Sequence, residues 1–551
     1  MPVACMMQEW QEGREKEKQD VSEGGVSMET FTIKGVRIVD GTGAPWFQGE
    51  VVVRDGVIAE VGRKVSASGR VIDGGGLTLA PGFIDSHSHS DTTWFVDNRG
   101  ESKIRQGVTT EVTGQCGSSP APATDKRKSA QVAAVTEEGT ALDWTTFGEY
   151  LYKLEGTGVG LNIVPLVGHG AIRSSAMGYD NRPPTEPELQ EMKTLLVEAL
   201  EAGAFGFSTG LIYPPSSYAD TEELIELAKV MSPYGGIYAT HMRQEGTRLL
   251  ESVAESIRIG REAGVPVQIS HHKASGEKAW GLVKESLAMI EKARAEGVDV
   301  TCDQYPYIAS ATGLASIVPG WAHEGGPKAL LARLRDPEVA RGLKEEVERG
   351  QSGGGWSRLM ITGVRSEKNK FAQGKTITEI AKIWGTTEVE AAWRLLIEEE
   401  LEVGQAKFGM CEEDVKTVMA HPCVMIGSDS SCSAVDGPLA KGHPHPRTFG
   451  TFPRVLGKYA REEKVLSLER AVYKMTGLAA WRMRLWDRGL VRPGMKADLT
   501  LFDPETVIDT ATFEAPMSYP KGIEMVFVNG AIVLENGKHT GRIAGKVLRR
   551  V

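Results

Sequence analysis

Eight short apolar runs recur between residues 80 and 429: APGFIDSHSH, VTTEVTGQC, NIVPLVGHG, GAFGFSTGL, GIYATHM, PVQISHHK, DVTCDQYPY and VMIGSD. No other feature constrains the fold as strongly. Short apolar runs bounded by turn residues predict buried strands, and the longer segments between them have helical period. Thr185 and Glu188 have capping-box spacing ahead of Leu189, Met192, Leu196 and Leu200, which share one helical face. Asp220 and Thr221 open TEELIELAKVM in the same way. Regular alternation of strand and helix predicts a parallel sheet, and eight repeats predict its closure into an α/β fold, a (β/α)8 TIM-like barrel.

The flanks have a different texture. FTIKGVRIVD, GEVVVRDGVIAEVG and RVIDGGGLTLA precede the barrel, and ADLTLFD, IEMVFVNGAIVLENG and TGRIAGKVLRR follow it. Both sets are β-branched pieces cut by turn residues. They predict one small β-sandwich domain built from both chain ends, residues 29–80 and 486–551, around a catalytic barrel at 81–485. Over one hundred residues separate the seventh and eighth strands, which predicts a helical insertion at about 320–420. Leaving the barrel after a strand, it suits a lid over the active face, and equally an ornament remote from it. Residues 1–28 are polar and charged without the apolar core of a signal peptide, so a disordered tail is expected, with Met28 as a candidate start.

A 551-residue chain with 41% hydrophobic residues and a net charge of -10 is expected to be a soluble, cytoplasmic protein. That charge argues against general binding to nucleic acid or acidic membranes, and no run approaches the roughly 18 apolar residues of a membrane span. Six cysteines without a CxxC pair indicate neither a disulfide framework nor a zinc knuckle. The oligomeric state has no signature in the sequence.

The residues that carry chemistry sit at strand ends. His87 and His89 close the first run, Cys116 the second, His241 the fifth, His271 the sixth and Asp429 the eighth. Taken singly, a histidine pair fits a solvated strand end, a cysteine a buried small hydrophobe, and an aspartate a helix cap. Taken together they converge on one mouth of a closed barrel. Imidazole and thiolate suit zinc, and a carboxylate beside them can bind metal or move a proton. Lys273, two residues after His271, is placed to meet an anion. Arg447 fits either an anion contact or a structural role. His443 and His445 are expected at the surface of a Pro-rich loop, and His169, His272 and His421 as supporting or loop residues. Ile212, Leu314, Ile317 and Val318 are candidates for an apolar pocket. GKT at residues 374–376 lacks the first glycine of a phosphate loop and is set aside.

GFIDSHSHSD after a short β-domain resembles the opening of the amidohydrolase superfamily. Combined with TGQCG, ATHMR, ISHHK, GSD and HPRTFGTFPRVLG, it resembles the D-aminoacylase, or N-acyl-D-amino-acid deacylase, branch. The resemblance runs from about Phe31 onward. Hydantoinases and dihydroorotases, the alternative reading, have a carboxylated lysine where Cys116 stands. The resemblance implies hydrolysis of an N-acyl-D-amino acid as the small-molecule partner, and the apolar candidates Ile212, Leu314, Ile317 and Val318 favour one with a neutral hydrophobic side chain. It implies one tight Zn2+ held by Cys116, His241 and His271. A second, weaker position would be formed by Cys116 with His87, His89 and Asp429. Asp429 would be the acid–base residue, and Lys273, Tyr213, Tyr305 and Ser310 would hold the substrate carboxylate.

Overall fold

The computed structural model describes residues 29–131, 141, 143–351 and 355–550. The expected tail at 1–28 lies outside them. Strands β1 (Phe31–Ile38), β2 (Phe47–Arg54), β3 (Val57–Gly62), β4 (Arg70–Asp73) and β5 (Thr78–Pro81) open the chain. The barrel follows with β6 (Phe83–Asp85), β7 (Val108–Thr113), β8 (Asn162–Pro165), β9 (Val167–Gly168), β10 (Gly206–Gly210), β11 (Ile237–His241), β12 (Val267–Ile269) and β13 (Val300–Gln304). β14 (Ala309–Gly313), β15 (Leu359–Val364) and β16 (Val403–Phe408) precede the last barrel strand, β17 (Val424–Ile426). β18 (Leu499–Phe502), β19 (Ile523–Val528), β20 (Ala531–Glu535) and β21 (Lys538–His539) complete the set.

Parallel pairing runs from β6 through β7 to β8, and from β9 through β10, β11, β12 and β13 to β17. β8 and β9 are halves of one strand interrupted at Leu166, and Phe205 N–H donates to Pro165 O at 2.9 Å across that break. The ring closes between the first and last strands: Asp429 N–H donates to His87 O at 2.8 Å, and Ser88 pairs with Ser430 in parallel register. Ile84, Val112, Val164, Ala239 and Met425 form a buried cluster with Leu478 and Met483 from the C-terminal helical segment. A polar layer adjoins it, in which Gln268 Nε2 donates to Ser86 O at 3.1 Å and Asp303 Oδ2 at 2.6 Å. The expected helix start at Thr185 is present, with Thr185 N–H donating to Glu188 Oε2 at 2.8 Å, and Asp220 caps the helix Thr221–Met231.

Both chain ends contribute to one nine-stranded sheet, ordered β21-β20-β19-β18-β5-β1-β2-β3 with β4 beside β1. Phe31 on β1 stacks on Phe527 of β19 with centroids 4.9 Å apart, although β5 and β18 intervene in the ladder. The sheet therefore curls over a shared core that includes Ile33, Val51, Leu499 and Leu501. TGRIAGKVLRR departs from the expectation for this sheet. Beyond Gly541 it runs along the barrel, where Gly545 N–H donates to Val159 O at 2.8 Å and Leu548 N–H to Ile163 O at 2.8 Å. Glycine is required at Gly545 because a Cβ would lie 2.0 Å from Leu161 O.

The insertion is helical as expected over Pro327–Arg335, Pro337–Gly350, Ile377–Trp384 and Glu388–Glu398, with its own core around Leu343, Ile380 and Trp393. It also contains a three-stranded antiparallel sheet, β14-β16-β15, and begins at Ala309 rather than near residue 320. ASATG and VGQAKF have too few branched side chains and too little alternation to announce strands. In the GKT triplet, Thr376 caps the helix Ile377–Trp384 through a capping box with Glu379. Among the described residues, no helix is long and apolar enough to cross a membrane.

Candidate metal centre

The six strand-end residues meet at the C-terminal mouth of the barrel. His241 ends β11 itself, whereas Cys116, His271 and Asp429 lie two or three residues past β7, β12 and β17. Those three adopt φ of 53°, 35° and 52°. Left-handed backbone at non-glycine residues is costly and persists only where its surroundings enforce it. Here they do: the His271 N–H donates to Asp303 Oδ1 at 2.7 Å, the Asp429 N–H donates to His87 O at 2.8 Å, and Cys116 O is packed so closely on Gly210 that a Cβ there would lie 2.1 Å from it. The chain turns sharply at these points and aims three side chains inward.

Two groups of donor atoms result, each gathered within 4.8 Å: His87, His89, Cys116 and Asp429, and Cys116, His241 and His271. Cys116 belongs to both. Its sulfur lies 3.3 Å from His87 Nε2 and 3.5 Å from His271 Nε2. Burial opposes the thiolate, but the adjacent His87 and His271 outweigh it and hold Cys116 well below the usual thiol range. Asp429 Oδ1 lies 3.0 Å from His89 Nε2 and 3.4 Å from His87 Nε2, and Oδ2 lies 2.7 Å from Arg447 Nη1. Against the penalty of burial, Arg447 and the histidines keep the Asp429 carboxyl well below the carboxylate range. Neither buried ring nitrogen of His241 makes a hydrogen bond of normal geometry, and Nε2 is 3.7 Å from Glu245 Oε2.

Two carboxylates that the strand-end pattern does not reveal support this cluster. Asp303, on β13, lies 3.2 Å from His87 Nδ1 and accepts the His271 N–H at 2.7 Å. Glu245, four residues past His241, lies 2.9 Å from His271 Nδ1 and 2.6 Å from Lys273 Nζ. Asp303 falls inside the seventh apolar run, where an aspartate is a signal in itself. Glu245 has only its spacing from His241 to mark it.

The expected substrate contacts surround the same mouth. Tyr305 is buried, with the Arg447 guanidinium 4.6 Å from its ring centroid and Lys273 Nζ at 5.7 Å. Tyr213 packs edge-on against His241 at 5.1 Å, and its hydroxyl lies 2.9 Å from Thr312 Oγ1. Ser310 is half-buried on β14. The insertion therefore borders the mouth through β14, which also accepts His445 Nε2–H at Ala309 O, 3.0 Å away. His445 is buried, not at the surface, because Ala309 O and the Arg447 N–H satisfy both of its nitrogens. His443 is half-buried, its Nε2 donating to Phe513 O at 2.6 Å. Leu314 and Val318 pack into the insertion core, while Ile212 stays 37% exposed.

A closed parallel barrel carrying a curled β-domain, with imidazoles, a thiol and a carboxylate at its C-terminal mouth, defines a barrel hydrolase of the amidohydrolase class. The chain belongs to the amidohydrolase family, whose model matches residues 70–534. Within it the chain belongs to the D-aminoacylase group. It is 39% identical over 519 residues to the D-aminoacylase of Alcaligenes xylosoxydans xylosoxydans, covering 94% of this chain and 97% of the relative. The N-acyl-D-aspartate deacylase of the same organism is 38% identical over 520 residues, with 94% of each chain covered. A solved N-acyl-D-glutamate deacylase from Bordetella bronchiseptica, complexed with zinc and a phosphonate inhibitor that mimics the tetrahedral intermediate, superposes with a TM-score of 0.81. It is 36% identical, with 95% of this chain and 99% of that one covered.

Proposed function

We propose that this chain is a zinc-dependent hydrolase that cleaves the linear amide of N-acyl-D-amino acids, releasing a carboxylate and a free D-amino acid. The observation that carries the reading is Cys116, a thiol shared by two sets of nitrogen and oxygen donors. A cyclic-amide hydrolase of hydantoinase type would need a carboxylated lysine at that place. The donor set fits zinc: it offers thiolate, imidazole and carboxylate, and the otherwise unsatisfied nitrogens of His241 are what a metal ligand looks like without its ion. Cys116, His241 and His271 would hold the tight ion, and Cys116 with His87, His89 and Asp429 a weaker one. When bound, zinc supplies Lewis acidity that eases ionisation of a water molecule and draws charge from the amide carbonyl.

The remaining work belongs to side chains. Arg447 and the histidines hold Asp429 in its unprotonated form, the form required of a group that takes a proton from the attacking water and returns it to the departing nitrogen. Lys273, Arg447, Tyr213, Tyr305 and Ser310 would hold the α-carboxylate and orient the amide. The two cations already face carboxylates, Glu245 and Asp429, so the pair offers no surplus positive charge to a second, side-chain carboxylate of the substrate. That balance favours a neutral side chain. The relatives do not separate the options, since D-aminoacylase and N-acyl-D-aspartate deacylase match almost equally well.

The test pairs zinc analysis of the purified protein with hydrolysis of N-acetyl-D-methionine, N-acetyl-L-methionine and N-acetyl-D-glutamate. Bound zinc and cleavage of the D-methionine compound alone is the expected result. Faster cleavage of the glutamate compound would overturn the side-chain assignment, and a zinc-free protein would overturn the reading as a whole.

A further inference from the structure

The sequence ISHHK puts Lys273 two residues past His271, and both side chains turn back to the same carboxylate. Lys273 Nζ lies 2.6 Å from Glu245 Oε1, 2.7 Å from His271 Nδ1 and 2.9 Å from His271 O. Glu245 Oε1 is also 2.9 Å from His271 Nδ1. Lys273 is 7% exposed, and the Glu245 side chain 12%, so water does little to satisfy either group. An ammonium has three N–H donors, and a neutral imidazole carries one proton on one of its two nitrogens.

Those counts allow two arrangements. In the first, Lys273 donates to Glu245, His271 O and His271 Nδ1. All three ammonium donors are then spent, and the imidazole proton sits on Nε2, the nitrogen that faces Cys116 Sγ at 3.5 Å. A nitrogen that carries its proton has no lone pair for a metal. In the second, Lys273 Nζ withdraws from Nδ1, because two donors cannot share a 2.7 Å contact, and His271 Nδ1–H donates to Glu245 Oε1. Nε2 then offers its lone pair beside Cys116, and one Lys273 N–H is released toward the mouth. A carboxylate partner on the far nitrogen of a metal-ligating imidazole fixes the tautomer and raises the ring's basicity.

We infer that Glu245 is a positioning residue that fixes the ligating tautomer of His271 and, through the same proton, frees one Lys273 donor for the substrate carboxylate. Metal binding and anion recognition are thereby tied together: without Glu245 the lysine has only the imidazole nitrogen and a backbone carbonyl to satisfy it. The inference rests on the zinc-hydrolase reading above, and it assigns Glu245 no contact with the reacting atoms. Asp303, which faces His87 Nδ1, has no lysine ion pair among the described residues and does not enter this coupling.

The experiment is zinc affinity by chelator competition on the full chain. Glu245→Ala should weaken zinc about 10- to 100-fold, the usual cost of losing such a partner. Glu245→Gln keeps a carbonyl that can accept Nδ1–H and should stay within about threefold of the unmodified protein. In a His271→Ala background, Glu245→Ala should change zinc affinity by less than about threefold, because the two residues act as one unit. Measured with saturating zinc, Glu245→Ala should also raise KM for N-acetyl-D-methionine more than it lowers kcat. Zinc affinity of Glu245→Ala within about twofold of the unmodified protein would overturn the inference. So would an undiminished effect in the His271→Ala background. Should the alanine variant fail to fold, nitrogen-15 histidine spectra of the unmodified zinc-free protein decide the matter, since there no metal dictates the tautomer: His271 protonated on Nδ1 upholds the inference, and protonation on Nε2 sinks it. If the unmodified protein binds no zinc, the underlying reading fails first, and the competition assay shows that separately.

Discussion

Cys116 and Asp429 touch the same histidines yet are assigned different work, and single substitutions separate them. Cys116 lies in both donor groups, so Cys116→Ala is expected to lose bound zinc and with it all turnover. Asp429→Asn keeps an oxygen donor but cannot cycle a proton; it should retain the tight zinc and lose at least about 100-fold in kcat. Elemental analysis alongside kinetics checks both, and full activity in either variant would remove the assigned role. His445 yields a pH prediction. Burial, reinforced by the Arg447 charge, pushes its imidazole well below the usual range, and its two hydrogen bonds need the neutral ring. Unfolding restores an ordinary imidazole with a pKa of about 6.5, so below that pH the unfolded chain binds the extra proton. Stability therefore falls as pH drops below about 6.5, by up to about 1.4 kcal/mol per pH unit from this group, and none of the loss is felt above it. Urea unfolding at pH 7 and pH 5 should show a smaller acid loss for His445→Gln than for the unmodified protein. An equal loss would mean that His445 can charge in the folded state.

Between elements, a buried ion pair closes the barrel behind the metal centre. Lys103, on the helix Glu101–Ile104, donates to Asp85 Oδ2 at 2.7 Å, Ser428 Oγ at 2.7 Å and Ser430 O at 2.8 Å. Lys103 and Asp85 are fully buried. The contact joins β6 to the loop after β17, the two segments that carry His87 and Asp429. Lys103→Met would leave the Asp85 carboxylate buried without its counter-charge, at a cost of about 3–5 kcal/mol. Denaturant unfolding checks this, and a loss below about 1 kcal/mol would show that the pair is dispensable. What sequence reasoning can and cannot see follows from the same distinction between local and long-range causes. The barrel strands were legible because each is a short apolar run, and five of the eight carry a candidate ligand at their end, as in VTTEVTGQC or GIYATHM. Thr185 and Asp220 were legible because capping is decided within four residues. The sheet of β14, β15 and β16 was not, because its strands are stabilised by one another and by the insertion core rather than by their own composition. Glu245 is paired with Lys273 and His271 by the packing of two loops, and spacing along the chain encodes no such contact. The burial of His445 was hidden for the same reason, since its partner Ala309 O lies 136 residues away.

At the scale of the whole molecule, the two donor groups draw on five strands or strand ends: β6, β7, β11, β12 and β17. The residues between them span most of the barrel circumference, so an ion held there would fasten segments that part on unfolding. A ligand that binds only the folded chain stabilises it by RT ln(1 + [L]/Kd), about 2.7 kcal/mol at a free concentration 100 times Kd. Zinc should therefore raise Tm in a concentration-dependent way, and chelation should lower it. The β-domain provides an internal contrast, because its core around Phe31 and Phe527 contains none of the donors. Cooperative coupling of barrel and β-domain predicts a single melting transition that shifts as a whole with zinc, whereas independent units would show one zinc-sensitive and one zinc-insensitive step. The shared sheet favours the single transition: β5 runs into β6 with only Gly82 between them, and β18 pairs with β5, so opening the barrel pulls on the sheet. Calorimetry with and without chelator distinguishes the outcomes. A Tm indifferent to zinc in the unmodified protein, as expected for His241→Ala at moderate zinc, would mean that the five strand ends are held together without the ion.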